Sequence, residues 1–211
     1  MVGAAALSLF AIAGCGGDVE YTERQTPGSS AADAASETPA AKHSHEGHSH
    51  APGAVNLAGI IFTPPTNWTD LGNSGMRQAQ YRIDPVQGDK AQGEVNVFYF
   101  GPTSGGGVEA NLDRWIGQMV MPDGSDPAAG AQRSTFTANG MAGHIVSLDG
   151  NYKSGGGRPM GGDTTIMEGY RLVGVVLEGP QGSLFFKLTG PLATAEAMEG
   201  DLLEMVKAAH P

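Results

Sequence analysis

The sequence predicts an α+β domain: an antiparallel sheet packed by two helices, in the order βββ-α-ββββ-α, preceded by a signal peptide and a disordered linker. Three observations carry that prediction. Short runs rich in β-branched and aromatic residues are separated by Gly, Pro and Asn-Gly turn chemistry. Two apolar stripes recur at the same helical spacing (i, i+4, i+7, i+8, i+11), one in mid-chain and one near its end. Glycine is abundant, at 33 of 211 residues, while charged residues make up only 16%, which suits a glycine-rich sheet better than a helical bundle. The 12 basic and 22 acidic side chains leave a formal charge of −10, and that excess disfavours nucleic acid as a partner, because phosphates need Lys and Arg to displace counterions. Cys15 is the single cysteine, so no intrachain disulfide can form.

The chain opens MVGAAALSLFAIAGCGGD. This apolar run is too short to span a bilayer, which takes roughly 20 residues, and has the length of a signal-peptide h-region. Small residues precede Cys15, as cleavage by a signal peptidase requires. Ile12-Ala13-Gly14-Cys15 resembles the bacterial lipobox. The resemblance implies a lipoprotein signal peptide over 1–14, a diacylglycerol on the Cys15 thiol, and a lipid membrane as the partner of the acylated residue. It implies a place in the cell envelope, periplasm-facing or at the outer membrane; Gly16 in place of an acidic residue leans towards the latter under enterobacterial sorting. The alternative is a buried N-terminal helix with a free thiol. It sets a greasy segment beside a long stretch that cannot form a core.

Residues 15–54 are expected to be a disordered, His-rich tether. Ala, Ser, Thr, Pro, Gly and Glu dominate, and no aliphatic residue occurs between Val19 and Val55. Such a segment cannot bury enough apolar surface to offset its ordering entropy. Within it lies KHSHEGHSH, residues 42–50, which holds four of the six histidines. In an extended chain His43 and His45 project to one side, as do His48 and His50. Imidazole suits Zn, Cu and Ni, and Glu46 could add an oxygen. A flexible tether has no surrounding groups to fix the rings, so binding would be weak and sensitive to pH near the imidazole pKa of about 6.5. The competing reading is a low-complexity spacer in which histidine is one more solvated polar residue. Tether comes first, ligand cluster second.

Residues 55–211 read as a single α+β domain, large enough to bury a core without staples. A first strand over 59–63 (GIIFT) stops at Pro64-Pro65. A second, over 76–83 (MRQAQYRI), would put Met76, Gln78, Gln80 and Arg82 on one face and Arg77, Ala79, Tyr81 and Ile83 on the other. Pro85 to Asp89 forms a hairpin-type loop before a third strand over 94–100 (EVNVFYF), apolar enough for the interior. The first helical stripe is Val108, Leu112, Trp115, Ile116 and Met119, with Glu109, Asn111, Asp113 and Arg114 opposite. Ser104 and three glycines open this helix, and Pro122 closes it.

Four strands follow, over 132–138, 143–151, 170–178 and 184–189, with Asn139-Gly140 and Pro180-Gln181-Gly182 as turns. The segment 171–177 is apolar at nearly every position and reads as interior. In SLFFKLT, Leu184, Phe186 and Leu188 share one face while Lys187 and Thr189 take the other. The closing helix, over 194–209, carries the stripe Met198, Leu202, Met205, Val206 and Ala209. Gly200 inside it costs up to about 1 kcal/mol relative to alanine, so packing must hold it.

The run Ile61-Phe62-Thr63-Pro64-Pro65-Thr66-Asn67-Trp68, the order of elements and the closing helix together resemble the PsbP-like α/β/α sandwich. MRQAQY at 76–81, VFYFG at 97–101 and NLDRWI at 111–116 are similar to a bacterial group of secreted or lipid-anchored proteins without assigned activity. The resemblance spans residues 57–209. It implies a non-enzymatic accessory or binding domain with a protein partner in the envelope, and it transfers no catalytic residue and no cofactor.

A search for chemistry agrees with that expectation. In residues 153–163 Lys153 precedes the glycines and a strand follows, whereas a phosphate loop needs its lysine at the mouth of a helix. A hairpin loop is the better reading. Gly105-Gly106-Gly107 offers free amides to an anion, but no cation sits beside it. His144 would point to one face of its strand, and Ser147 and Asp149 to the other, so they form no triad. Arg77 and Arg82 are expected to pair with surface carboxylates, and Trp68 and Trp115 to anchor the core. The expected function is a lipid-anchored envelope protein with a non-enzymatic binding or accessory domain. The alternative is a periplasmic transition-metal binding or delivery protein using His43, His45, His48 and His50. An enzyme with a site in the glycine-rich loops stands third.

Overall fold

The computed structural model describes residues 53–86, 88–155 and 164–211. The predicted signal peptide, Cys15, and the tether histidines His43, His45, His48 and His50 lie outside the described residues.

The first described elements form a small ribbon apart from the main sheet. β1 (Val55–Leu57) pairs with β2 (Ile60–Phe62), Leu57 opposite Ile60. The two turn residues, Ala58 and Gly59, have φ of 52° and 73°. Positive φ at both positions is type I′ geometry, whose twist matches that of a hairpin. The predicted first strand therefore exists, but as one arm of a ribbon. β2 is in turn bridged to the end of the chain, where Ile61 and His210 exchange backbone hydrogen bonds of 2.7 and 3.0 Å.

The main sheet is antiparallel. It contains β3 (Thr69–Ser74), β4 (Arg77–Ile83), β5 (Gly93–Phe98), β6 (Met119–Val120), β7 (Gln132–Ala138), β8 (Met141–Ser154), β9 (Thr165–Gly179) and β10 (Gly182–Pro191). The spatial order is β3-β4-β5-β10-β9-β8, and β8 also pairs with β7 along its first half and with β6 near its end. Alternation in the central strands creates two apolar faces. On β9, Val173, Val175 and Leu177 join one core cluster, while Leu172 and Val176 join the other. The first cluster is closed by α3 (Leu192–Ala208) through Ala195, Met198, Leu202, Met205 and Val206. The second is closed by α1 (Val108–Ile116) through Leu112, Trp115 and Ile116. Gly174 lies directly under Trp115, where any Cβ would collide with the indole. That missing side chain lets α1 sit close to the sheet.

Two polar devices fasten α3. No side chain at its own N-cap position caps the helix. Instead the Asp89 carboxylate, from the β4–β5 loop, accepts from the Thr194 backbone N–H (2.8 Å) and hydroxyl (2.6 Å). At the sheet, Arg171 donates to both Asp149 oxygens (2.7 and 3.3 Å) and to Glu196 and Glu199 of the helix.

Several expectations are corrected. β3 was not foreseen, since TDLGNS has little apolar character and every residue of it is exposed. α1 ends at Ile116, with Gly117 following, and Met119 belongs to β6 instead of the helical stripe. A one-turn helix, α2 (Pro127–Gly130), is capped by the Asp126 side chain. The strands predicted over 143–151 and 170–178 lie within the longer β8 and β9. The order βββ-α-ββββ-α is therefore coarser than the molecule, whereas the mixed α+β class with helices on an antiparallel sheet holds. Among the described residues, no helix is long and apolar enough to cross a membrane.

Candidate functional site

α1 covers its sheet face over β8 and β9 and, through Trp115 against Phe185, one end of β10. The rest of that face, over β4, β5 and β10, is floored by polar side chains. Strand register brings them together: Lys187 of β10 lies opposite Asn96 of β5, and Thr189 opposite Glu94. Residues opposite each other across antiparallel strands share a face. On the next strand, Arg77, Gln80 and Arg82 of β4 stand opposite Phe98, Asn96 and Glu94. The result is a cavity of about 250 Å³. Its far wall is Tyr152 stacked on Tyr170, with ring centres 6.3 Å apart and planes 14° from parallel.

Arg77 reaches this face through a β-bulge. The register steps from Arg77↔Phe98 to Ala79↔Val97, so Gln78 is an extra residue on β4. An extra residue shifts the alternation by one. Arg77 and Arg82 therefore share a face, contrary to the strict alternation expected for MRQAQYRI. Nor does either pair with a surface carboxylate among the described residues. The Arg77 guanidinium donates instead to Gln80 Oε1 at 2.8 Å, and Arg82 Nε is buried without a partner.

Lys187 is the centre of the site. Its ammonium donates to Gln118 Oε1 (2.5 Å) and to the Tyr152 hydroxyl (2.8 Å). Gln118 follows the last turn of α1, so the end of the helix positions the lysine. Burial pushes the Lys187 pKa down to about 8; Arg114 and Arg77 add to the shift and Glu94 opposes it. Burial, with the negative charge of Glu94, raises the pKa of both Tyr152 and Tyr170. Lys187 and Glu94 face one cavity but form no ion pair there among the described residues.

Other polar groups of the cleft lack internal partners. Asn96 is 8% exposed and Thr189 is 9% exposed, and both line the cavity. Among the described residues, neither side chain makes a hydrogen bond, and the same holds for the Tyr170 hydroxyl and the Glu94 carboxylate. Their polar atoms open onto the cavity instead of being sealed in the core, so a polar ligand entering it would find unengaged donors and acceptors. Chemically, it presents two cations, one carboxylate and the amides of Asn96 and Gln92 around an aromatic wall.

The residues singled out from the sequence fall elsewhere or serve the fold. His144 Nε2 lies 2.9 Å from Glu178 Oε1, on the opposite face from Asp149, which Arg171 occupies. Asn111, expected on the polar side of α1, is buried and donates to the Gly105 and Gly107 carbonyls at 2.7 and 2.9 Å. The glycine loop is thus tied by its own helix. Trp68 and Trp115 are core residues, as expected. Among the described residues, no group of three His, Cys, Asp or Glu side chains could hold a metal ion. The cleft itself was not foreseen, although its signal was present. Polar Lys187 and Thr189, and polar Glu94 and Asn96, alternate with apolar residues in two otherwise buried strands.

No protein-family model and no curated protein matches the chain. Among solved structures, it is similar to the solution structure of cyanobacterial PsbP (CyanoP) from Synechocystis sp. PCC 6803, at 12% identity and a TM-score of 0.43, over 72% of this chain and 86% of that one. It is also similar to the crystal structure of PA94 from Pseudomonas aeruginosa, a protein of unknown function titled a putative regulator. There the identity is 16% and the TM-score 0.34, over 75% of this chain and 95% of that one. Likenesses of this size assign the chain neither a family nor an activity.

Proposed function

We propose that the domain is a non-enzymatic binding module that takes a small polar ligand in the Lys187 cleft, and that an acylated Cys15 holds it at the cell envelope. The observation that carries the binding half is the cleft floor. Asn96 and Thr189 turn polar atoms without protein partners into the cavity, beside a lysine with a donor to spare. A sheet face kept only for packing would be apolar there, as it is under α1. The anchoring half rests on Ile12-Ala13-Gly14-Cys15 and the core-less segment after it. The accessory character follows the resemblance read in residues 57–209.

Each half has its own test. Labelled palmitate enters the wild-type chain and is absent from Cys15→Ser; equal labelling of both overturns the anchor. For the cleft, thermal shifts of the full chain are measured against sugars, nucleosides, amines and carboxylates. At least one class raises the melting temperature, and the effect disappears in Thr189→Phe, whose ring fills the floor. A wild-type protein unmoved by every class overturns the binding reading.

A further inference from the structure

Granted that the cleft binds a ligand, its charges select among ligands. We infer that it takes a small organic carboxylate that carries a hydrogen-bond donor at its other end, an amino acid or a hydroxy acid.

Two cations, Lys187 on the floor and Arg77 at the rim, face the cavity with Arg114 nearby, and Glu94 is the carboxylate that lines it. A ligand that is only cationic meets the lysine and the arginine. A dianion meets Glu94 at close range. Both signs in one cavity, unpaired with each other, fit a ligand that carries an acceptor of negative charge and a donor. Strand geometry sets their spacing. Lys187 stands opposite Asn96, and Glu94 lies two residues along β5 from Asn96. Diagonal neighbours across an antiparallel pair are about 7–8 Å apart at the backbone, a gap that a skeleton of a few atoms with a hydrogen bond at each end can bridge. Asn96 and Thr189 occupy the other two corners of this group of four, where the Asn96 amide can donate to the carboxylate beside Lys187.

Size and walls agree. A cavity of about 250 Å³ is small for a ligand site, since such sites commonly run from about 300 to 1,000 Å³. The stacked Tyr152 and Tyr170 offer a flat apolar wall for the carbon skeleton. The lysine is already aimed by Gln118 and the Tyr152 hydroxyl, so little ordering remains to be done on binding.

Isothermal titration of the full chain tests the assignment, with serine, lactate, succinate, ethanolamine and glucose as probes. Serine or lactate is expected to give saturable heat, with succinate and ethanolamine weaker. Loss of a charge-assisted contact costs more than 1.4 kcal/mol, so Lys187→Met should weaken binding at least about tenfold. Arg77→Gln, at an exposed position, should weaken it by a smaller factor. Glu94→Gln should weaken serine and strengthen succinate, a change of preference that misfolding cannot produce. Binding of glucose or ethanolamine with silent acids overturns the class and keeps the cleft as a binding site. Acid binding that survives both Lys187→Met and Arg77→Gln also overturns it. Silence from every probe, with a thermal-shift response to another class of compound, overturns the class alone.

Discussion

Lys187 holds a proton less firmly in the folded chain than in the unfolded one, and that has a measurable consequence. Its pKa is lowered from 10.5 to about 8. Between those values the unfolded state binds more protons, so stability rises with pH across that window. At one pKa unit per 1.36 kcal/mol the contribution is roughly 3 kcal/mol. Urea denaturation at pH 7.5 and 10 therefore should show wild type gaining on Lys187→Met, and parallel profiles would show that the ammonium is not desolvated. A second residue-scale prediction concerns Gly174. Its Cβ would enter the Trp115 indole, so Gly174→Ala should cost about 1–3 kcal/mol of overpacking, read as a lower urea midpoint with an unchanged slope. Legibility at this scale was uneven. The faces of Leu184, Phe186, Leu188, Lys187 and Thr189 follow from alternation alone. Arg77 does not, because nothing in MRQAQYRI marks Gln78 as a bulge, and a single bulged residue moves Arg77 across the sheet.

Among the elements, α3 is the one whose start is held from outside. It begins after Pro191 with no side-chain cap of its own, and Asp89 from a distant loop occupies that role. Asp89→Ala should cost about 1 kcal/mol, within the range for lost N-caps. Hydrogen exchange should quicken first at the amide of Thr194. The helix was legible from its stripe, since packing against the sheet is what the stripe records. Its clamp was not, because Asp89 and Thr194 are 105 positions apart and only the folded register joins them. The same reason hid the cleft. Each strand showed its own polar residues, but a sequence does not state that Lys187 will lie opposite Asn96, or Thr189 opposite Glu94. β3 escaped for another reason: an exposed edge strand has no apolar period to betray it.

On the scale of the whole molecule, the described residues form a body with two apolar cores, while residues 15–54 are rich in Ala, Ser, Thr, Pro and Gly. His43, His45, His48 and His50 lie outside the described residues, and the metal reading is open to a direct test. Titration of a peptide covering residues 42–50 with zinc or copper should give weak heats that fade as pH falls through the imidazole pKa of about 6.5; tight binding indifferent to pH would point to an ordered site instead. The ribbon of β1 and β2 gives the body its entry point. Val55 pairs with Phe62 in that ribbon, and Ile61 is laced to His210. A tug delivered at residue 53 is thus met first by the ribbon, which holds through its hydrogen bonds and through Ile60 and Phe62 buried in the core. Peeling the little hairpin would strip Phe62 from Phe186, so the entry point yields only together with the core beneath it.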